Sequence, residues 1–423
     1  MTTLSKIQKW GLLLFVFLLP WQTHYLVKSV TLAGGVSEYL SIKLFGIDLL
    51  LGALALLAVF HGETVIQEMR ARALPLLGLL VFAFFSIVWA DDALAAMMGF
   101  VRLTEGTLLV FTVLRTRVSV TELLSALVLA GAVQGAFALV QFIAQSSFES
   151  AWLGLALHDP SVPGTAVIET LTGRWLRAYG AFTHPNVLGG FLALAFVAAA
   201  GLCIQERRRV ARVLFGIALV FITSGLLVSF SRASWLAAAI GFAVLAGWIV
   251  SRRSSPLFQT QTESRVHRYQ FMTTSLIIII ILALFTTAFG DLLSPRLSMS
   301  GRIETRSIIE RSDFTRDAFD LIRTRWATGV GVANITPAMY AKVDSTRKVY
   351  AYQPPHNLFI LVFTELGIAG LLMMIFLFIN LFLERAPKQG SALPLASLLV
   401  LVLLVLSFFD HYFWTIPQAI LLF

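Results

Sequence analysis

The stretch FMTTSLIIIIILALFTTAFG, residues 271–290, decides the fold class of this chain. It contains no charged side chain, and its length is what an α-helix needs to cross the hydrocarbon core of a bilayer. The polar segment 291–356 follows it, and another apolar run begins at residue 357. This alternation predicts membrane-spanning helices joined by loops, one of which is long.

The composition of the whole chain agrees with this interpretation. Hydrophobic residues make up 58% of the 423 residues and charged residues only 13%, whereas soluble domains carry roughly 25% charged residues. The mean hydropathy is +0.83. The single cysteine, Cys203, excludes disulfides within the chain and a cysteine metal site. The basic residues are scattered among apolar runs, which argues against a nucleic-acid partner.

Apolar runs of about 20 residues predict an all-α polytopic protein with eleven membrane spans. They lie near 10–27, 42–60, 73–90, 93–114, 122–144, 187–204, 213–230, 233–250, 271–290, 357–383 and 391–409. The apolar end from Ile416 to Phe423 is too short to cross, and counting it would give twelve. The predicted parts are nine spans in 1–290 with an outer loop near 145–186, a large outer loop at 291–356, and C-terminal spans in 357–423.

The distribution of Lys and Arg predicts the orientation. With a cytoplasmic N-terminus, the inner segments hold sixteen of the 32 basic residues and the short outer segments hold five. The inner segments are the N-terminal tail, 61–72, 115–121, 205–212, 251–270 and 384–390. Cytoplasmic loops are enriched in Lys and Arg, so 291–356 is predicted to lie outside. Its ten basic residues therefore need an explanation other than orientation.

Part of the large outer loop has helical periodicity. From Asp313 to Trp326 the apolar residues share one face: Phe314, Ala318, Leu321, Ile322 and Trp326. The other face has charges spaced for ion pairs, namely Asp313 with Arg316, Arg316 with Asp320, and Asp320 with Arg323. We expect an amphipathic helix that lies on the bilayer or over the bundle.

A histidine closes this loop. His356 follows Pro354 and Pro355, which stiffen its approach, and precedes Asn357, a typical N-cap for the next span. A neutral imidazole at that position can take a proton from a sugar hydroxyl. A structural hydrogen bond is the alternative role of such a histidine.

Several outer arginines suit a phosphate-bearing lipid, because guanidinium groups stay protonated and match phosphate oxygens. Arg302, Arg306 and Arg311 lack an obvious partner, although Glu304 and Glu310 are near in sequence. Arg232 stands on a tight turn between two spans, where a charge tends to be functional, and Arg177 belongs to a similar outer group with His184. The outer loops carry no Asp-x-Asp motif, so arginines would have to stabilise a leaving phosphate without metal.

A few polar residues fall inside or at the ends of the spans. Arg102 and Glu105 are spaced to pair on one helix, and Gln134 and Gln141 share a face. Glu365 lies below His356 on the same span and suits a supporting role. Further on, Asp410, His411 and Tyr412 end the last full span and could line the same cavity.

The chain resembles the O-antigen ligase and polymerase superfamily of bacterial polysaccharide assembly. The resemblance covers roughly 175–380 and rests on four pieces: RAYGAFTHPN (177–186), SRASW (231–235), GVGVAN (329–334), and HNL (356–358) with ELG (365–367). It implies a GT-C-like fold in the bacterial inner membrane. The resemblance also implies that the protein transfers a glycan from undecaprenyl diphosphate to an acceptor at the periplasmic face, without cofactor or metal.

By motif, the resemblance makes His356 the catalytic base and gives Arg177 and Arg232 contacts to the diphosphate, with Arg302, Arg306 and Arg311 as further candidates. His184, Asn357 and Glu365 would support them. The expected activity is an O-antigen ligase acting on lipid A core, and a polymerase that uses a second lipid-linked glycan is the alternative. A transporter, like the bicarbonate-type relatives, would instead concentrate polar groups at the membrane midplane. A structural membrane protein would leave His356 beside the arginine-rich loop unexplained.

Overall fold

The structure is a computed structural model that describes residues 3–61, 66–170, 173–251, 261–298, 302–383 and 395–422. The predicted inner segments 61–72, 251–270 and 384–390 lie partly or wholly outside these residues.

Fifteen α-helices account for most of the described residues. They are α1 (Thr3–Leu18), α2 (Gly46–His61), α3 (Ile66–Ser86), α4 (Ala93–Leu114), α5 (Val120–Ala144), α6 (Pro185–Gln205), α7 (Arg209–Val228), α8 (Arg232–Ser251), α9 (Gln261–Ser298), α10 (Arg302–Arg325), α11 (Ile335–Lys342), α12 (Leu358–Leu383), α13 (Leu395–Phe409), α14 (Tyr412–Thr415) and α15 (Pro417–Ile420). Short 3-10 turns lie at Ile87–Trp89 and Val349–Ala351.

Six short strands form three antiparallel pairs. β1 (His24–Lys28) pairs with β4 (Ile42–Phe45), β2 (Thr31–Leu32) with β3 (Gly35–Val36), and β5 (Val167–Thr170) with β6 (Gly173–Leu176). The sequence analysis predicts none of these hairpins, because each strand is too short to give a clear alternating pattern. They all lie in connections between helices and leave the predicted all-α class unchanged.

The predicted membrane class is confirmed by the helices themselves. Seven of the described helical segments are long and apolar enough to cross a membrane. These are α4, α5, α6, α7, α8, the part of α9 from Arg265 to Arg296, and α12 from Leu358 to Phe382. Shorter apolar helices occur at Gly46–His61, Leu74–Trp89 and Leu395–Phe409. The chain is therefore a polytopic, mainly α-helical membrane protein.

The predicted bounds of the first span are too late in the sequence. The prediction placed it near 10–27, whereas α1 ends at Leu18. Pro20 explains the early end, because proline lacks the helical N–H and disfavours helix in the residue before it. Residues 24–45 form the β1–β4 and β2–β3 hairpins instead.

The centre of the bundle is α6, which is buried along its whole apolar length. Two neighbouring helices, α5 and α7, approach each other closely through Gly135 and Gly225. A Cβ atom added at Gly135 would lie 2.2 Å from the carbonyl oxygen of Phe221, so only glycine fits there. Small residues at helix crossings let backbones come close enough for extensive van der Waals contact in a membrane.

The connections gather at two ends of the bundle. At the end that we call the long-loop end, hydrogen bonds join residues from separate connections: the Thr23 hydroxyl donates to the Trp152 carbonyl at 2.7 Å and Arg177 Nε to the Ser229 carbonyl at 2.9 Å. At the short-loop end, Gln8 donates to Thr116 at 2.9 Å. The segments predicted to be outer thus lie together at the long-loop end.

The amphipathic helix of the large loop is present and longer than predicted. α10 begins at Arg302 instead of Asp313, and its apolar residues Phe314, Ala318, Leu321 and Ile322 are buried as expected. Trp326 follows the helix and is exposed, so its predicted place on the packed face is wrong. The predicted pairs of Arg316 with Asp313, at 3.3 Å, and of Arg323 with Asp320, at 3.0 Å, are confirmed.

A break in α12 holds the segment that follows α10. Gly367 has φ +61° and interrupts the helix, which frees backbone groups for other partners. Val330 N–H donates to the Thr364 carbonyl at 3.0 Å and Gly331 N–H to the Glu365 carbonyl at 2.9 Å. The large loop is thereby fixed to the span that carries His356 at its start.

The α5–α7 crossing gives the first prediction. Gly135→Ala should lower the free energy of unfolding by about 1–3 kcal/mol, because its methyl group would push against the backbone of α7. Gly247→Ala in α8 is the matched control, since a Cβ there meets nothing within 4 Å. Thermal melting of both purified proteins in detergent measures the difference, and an unchanged Gly135→Ala midpoint would contradict the close crossing.

Candidate active site

His356 and Asp410 form an imidazole–carboxylate pair at the long-loop end. His356 Nδ1 lies 3.3 Å from Asp410 Oδ1. Burial alone would raise the pKa of the Asp410 carboxyl, but the adjacent His356 and His411 rings more than offset this and hold the pKa below its usual range. An ionised carboxylate only accepts hydrogen bonds, so Nδ1 carries the hydrogen and Nε2 is free to accept a proton.

The start of α12 fixes the position of His356. Asn357 is the N-cap, as predicted, because its Oδ1 accepts from Ile360 N–H at 3.0 Å. Its amide Nδ2 donates to the Phe408 carbonyl at 3.1 Å. Since Phe408 lies two residues before Asp410, this bond joins the histidine-bearing helix end to the segment that supplies the carboxylate.

Asp410 also reaches the arginine side of the site. Its Oδ2 accepts from Asn186 Nδ2 at 3.1 Å, and the Asn186 carbonyl oxygen Oδ1 accepts from Arg177 Nη2 at 2.8 Å. A continuous series of hydrogen bonds therefore runs from Arg177 through Asn186 and Asp410 to His356. In the sequence Asn186 stands out only as the last residue of the piece RAYGAFTHPN, and its bridging role is new.

Two more histidines lie next to this series. His184 is exposed, and its Nδ1 accepts from Asn186 N–H at 3.1 Å and caps α6. The His411 ring centre is 5.1 Å from that of His356. Burial lowers the His411 pKa to about 4, although Asp410 opposes the shift.

Several guanidinium groups lie beside these residues, and two of them share one carboxylate. Arg296 forms an ion pair with Glu304, and Arg232 Nη2 lies 3.1 Å from the other oxygen of the same carboxylate. Arg177 is buried, and burial together with the nearby Arg296 charge lowers its pKa. Arg311 is the fourth member of this group, which we call the arginine cluster: Arg177, Arg232, Arg296 and Arg311.

Arg311 adds positive charge to this group. Its charge makes a minor contribution to the lowered pKa values of Arg177 and His411 and also acts on Arg296, as expected of a guanidinium group near them. In the part of the chain that the structure describes, no carboxylate forms an ion pair with Arg311. The cluster therefore has more guanidinium groups than carboxylates, and a bound anion would relieve the repulsion.

The other two predicted loop arginines point elsewhere. Arg302 pairs with Glu169 at 3.0 Å and Arg306 with Glu310 at 2.7 Å, and both guanidinium groups are largely exposed. Glu304, which is near these arginines in sequence, pairs with none of them: it faces inward from the first turn of α10 and binds Arg232 and Arg296. Of the three, the structure brings only Arg311 to the cluster.

Glu365 supports the site from below and does not touch His356. Its Oε2 accepts from Ala333 N–H at 2.8 Å and from the Trp414 indole N–H at 2.7 Å. These bonds join α12 to the segment after α10 and to the helix that follows His411.

The expected pair of Arg102 with Glu105 is confirmed at 2.7 Å, and Arg102 also binds Asp48 at 2.8 Å.

Two buried glutamines hold the segment that carries Arg177. Gln141 Oε1 accepts from Gly180 N–H at 2.8 Å, and Gln134 Oε1 accepts from Ala181 N–H at 2.8 Å. The face of α5 that these glutamines share, as predicted, therefore positions the segment that carries Arg177.

Arg296 is the cluster member that the sequence analysis left without a role. The only sequence feature that could have pointed to it was a charge at the end of an apolar span.

His356, Asp410 and His411 also have the composition of a metal site. Their candidate ligand atoms lie within 4.8 Å of one another, and imidazole with carboxylate suits transition metals. However, both Asp410 oxygens already accept hydrogen bonds, and the nearby guanidinium groups repel a divalent cation. The arrangement fits a hydrogen-bonded base better than a metal centre.

Comparison with known families gives a match over part of the chain. Residues 217–375 match the family model described as O-antigen ligase. These residues belong to the O-antigen ligase and polymerase superfamily. The match extends from α7 into α12, so Arg232, Arg311 and His356 lie in the O-antigen ligase region. Arg177 and Asp410 lie outside it and join it through the Ser229 carbonyl and the His356 ring. No curated protein matches the chain.

The buried His411 should make the protein sensitive to acid. Its pKa is about 4 when folded and about 6.5 when unfolded, so the unfolded state binds the proton first and stability falls as the pH drops below about 6.5. His411→Asn removes the titrating ring and should remove roughly 1–2 kcal/mol of the loss at pH 5. Thermal midpoints at pH 7.5 and 5.0 measure this, and an equal drop in both proteins would exclude His411 as a cause.

Proposed function

We propose that this protein transfers a glycan from undecaprenyl diphosphate to an acceptor at the periplasmic face of the bacterial inner membrane. The proposed acceptor is lipid A core, which makes the protein an O-antigen ligase; a polymerase would use a second lipid-linked glycan. One observation carries the proposal, namely the His356–Asp410 pair beside an arginine cluster that has a single carboxylate. The O-antigen ligase family match supports the same class of reaction.

His356 is the proposed base. The acceptor hydroxyl oxygen attacks the anomeric carbon, its proton passes to His356 Nε2, and the bond from the anomeric carbon to the diphosphate oxygen breaks. Such a single displacement inverts the anomeric configuration. Asp410 holds the Nδ1–H tautomer and stabilises the imidazolium that forms, which is the way a carboxylate assists a histidine base.

The arginine cluster is proposed to bind the diphosphate. Negative charge grows on the leaving oxygen as the bond breaks, and fixed cations placed there stabilise the transition state. Arg177 and Arg232 are already oriented by hydrogen bonds to the Ser229 and Arg296 carbonyls, at 2.9 and 3.1 Å. Arg311 has no ion-pair partner among the described residues, so its charge is available to the leaving group. Metal is not required in this mechanism.

Replacing the base or its partner gives the central test. His356→Ala should reduce transfer to background, and Asp410→Asn should reduce kcat by about 10²-fold or more, because an amide can hold the wrong imidazole tautomer. Transfer is measured in proteoliposomes with an undecaprenyl-diphosphate oligosaccharide donor and lipid A core, and melting curves check that the variants are folded. Wild-type rates in folded His356→Ala protein would remove His356 as the base.

The same assay separates the competing mechanisms. A second series with lipid-linked glycan alone tests the polymerase, since longer lipid-linked chains would then form without lipid A core. A chelator should leave wild-type transfer unchanged. Loss of activity that added divalent ion restores would instead assign a metal to His356, Asp410 and His411.

Two arginines on α10 provide a test substitution and its matched control. Arg311→Ala should lower kcat by about 10²-fold, because a cation near the leaving group contributes roughly 3 kcal/mol to the transition state. Arg306→Ala should change it less than about twofold, since Arg306 is exposed and paired with Glu310. Equal effects of the two substitutions on kcat would contradict the selective role of Arg311.

A further inference from the structure

Residues 24–45, which we call the hairpin segment, form a wall of the site that the proposed mechanism does not use. The residue before it, Thr23, donates to the Trp152 carbonyl at 2.7 Å. Gly35 lies so close to Val349 that an added Cβ would be 2.5 Å from its side chain. The segment therefore joins the connection after α5 to the one that leads to His356.

Tyr39 brings an aromatic ring from this segment to the histidines. Its ring lies edge-on to His411, with 6.1 Å between the centroids, and His411 is in turn 5.1 Å from His356. Burial and the Asp410 charge raise the pKa of Tyr39, so its hydroxyl remains protonated. Its side chain is nevertheless 40% exposed, which leaves part of the ring open to a ligand.

Glu38 gives this wall a charge opposite to that of the arginine cluster. It is exposed, and its charge reaches two neighbouring rings: it adds to the raised pKa of Tyr39 and opposes the lowering of the His158 pKa by burial. No described Lys or Arg forms an ion pair with it. A carboxylate here repels a diphosphate but accepts hydrogen bonds from sugar hydroxyls, and an exposed aromatic ring packs against the apolar face of a sugar.

The backbone around Glu38 and Tyr39 is held in place. Ser37 N–H donates to the Val30 carbonyl at 2.8 Å, and the Ser41 hydroxyl donates to the Ser37 carbonyl at 2.7 Å. The two side chains are therefore presented from a fixed turn, and little ordering is needed when a ligand binds.

We propose that Glu38 and Tyr39 form a subsite for the acceptor glycan, placed so that an acceptor hydroxyl reaches His356. The assignment rests on the proposed glycan transfer. The arginine cluster holds the donor through its diphosphate, whereas the hydroxyl-rich sugar that receives the glycan matches the carboxylate and the aromatic ring. Substitutions at this wall should thus affect the acceptor and leave the donor unaffected.

Steady-state kinetics in proteoliposomes test this separation. Lipid A core is varied at saturating undecaprenyl-diphosphate oligosaccharide, and the donor is then varied at saturating lipid A core. Tyr39→Ala should raise the KM for lipid A core roughly tenfold, as loss of an aromatic contact of about 1.4 kcal/mol would. The donor KM should stay within about twofold, which also shows that the variant is folded.

Two further variants keep the test decisive. Glu38→Gln, at an exposed position, should raise the acceptor KM severalfold, and Tyr39→Phe should retain a near-normal acceptor KM because the ring remains. Tyr25→Ala is the matched control, since Tyr25 is an exposed tyrosine on β1 of the same segment. It should leave both KM values unchanged.

Different experimental results would overturn the subsite and the proposed function. An unchanged acceptor KM in Tyr39→Ala and Glu38→Gln, or equal increases in donor and acceptor KM, would overturn the subsite while glycan transfer stands. Wild-type protein that transfers glycan neither to lipid A core nor to a second lipid-linked glycan would overturn the proposed function, and the subsite with it.

Discussion

The carboxylate of Asp410 connects the two halves of the candidate site. One oxygen accepts from the His356 ring and from the backbone of His411, and the other accepts from Asn186, which in turn binds Arg177. Without this carboxylate the imidazole would lose its orientation, and the arginine side would lose its link to the base. Burial of an unpaired carboxylate is costly, so these hydrogen bonds also stabilise the fold around it.

The balance of charge beside Asp410 favours an anion in the candidate site. Glu304 is shared by Arg232 and Arg296, and neither Arg177 nor Arg311 has a carboxylate partner among the described residues. Like charges held this close raise the energy of the empty site, and an anion that enters lowers it. The same repulsion makes this end of the bundle unsuitable for a divalent cation.

Local patterns predicted much of this arrangement, because they depend on neighbours in sequence. The apolar runs, the inward face of α10 and the N-cap at Asn357 are of this kind. Contacts between distant residues had no such signal: Asn186 meets Asp410 across 224 positions. The selection of Arg311 over Arg302 and Arg306 also escaped prediction, since it depends on how α10 is rotated against the bundle. The hairpins in 24–45 escaped prediction because their strands are too short to give an alternating pattern.

The place of Asp410 in the chain has a consequence for biosynthesis. Translation proceeds from the N-terminus, and Asp410 follows α13, so the ribosome makes this carboxylate after Arg177, Arg311 and His356. Earlier helices can enter the membrane and pack around α6 before then. A nascent chain at that stage has its arginines but lacks the carboxylate that orients His356, so the candidate site is complete only after the residues that follow α13 have emerged and folded back onto the bundle.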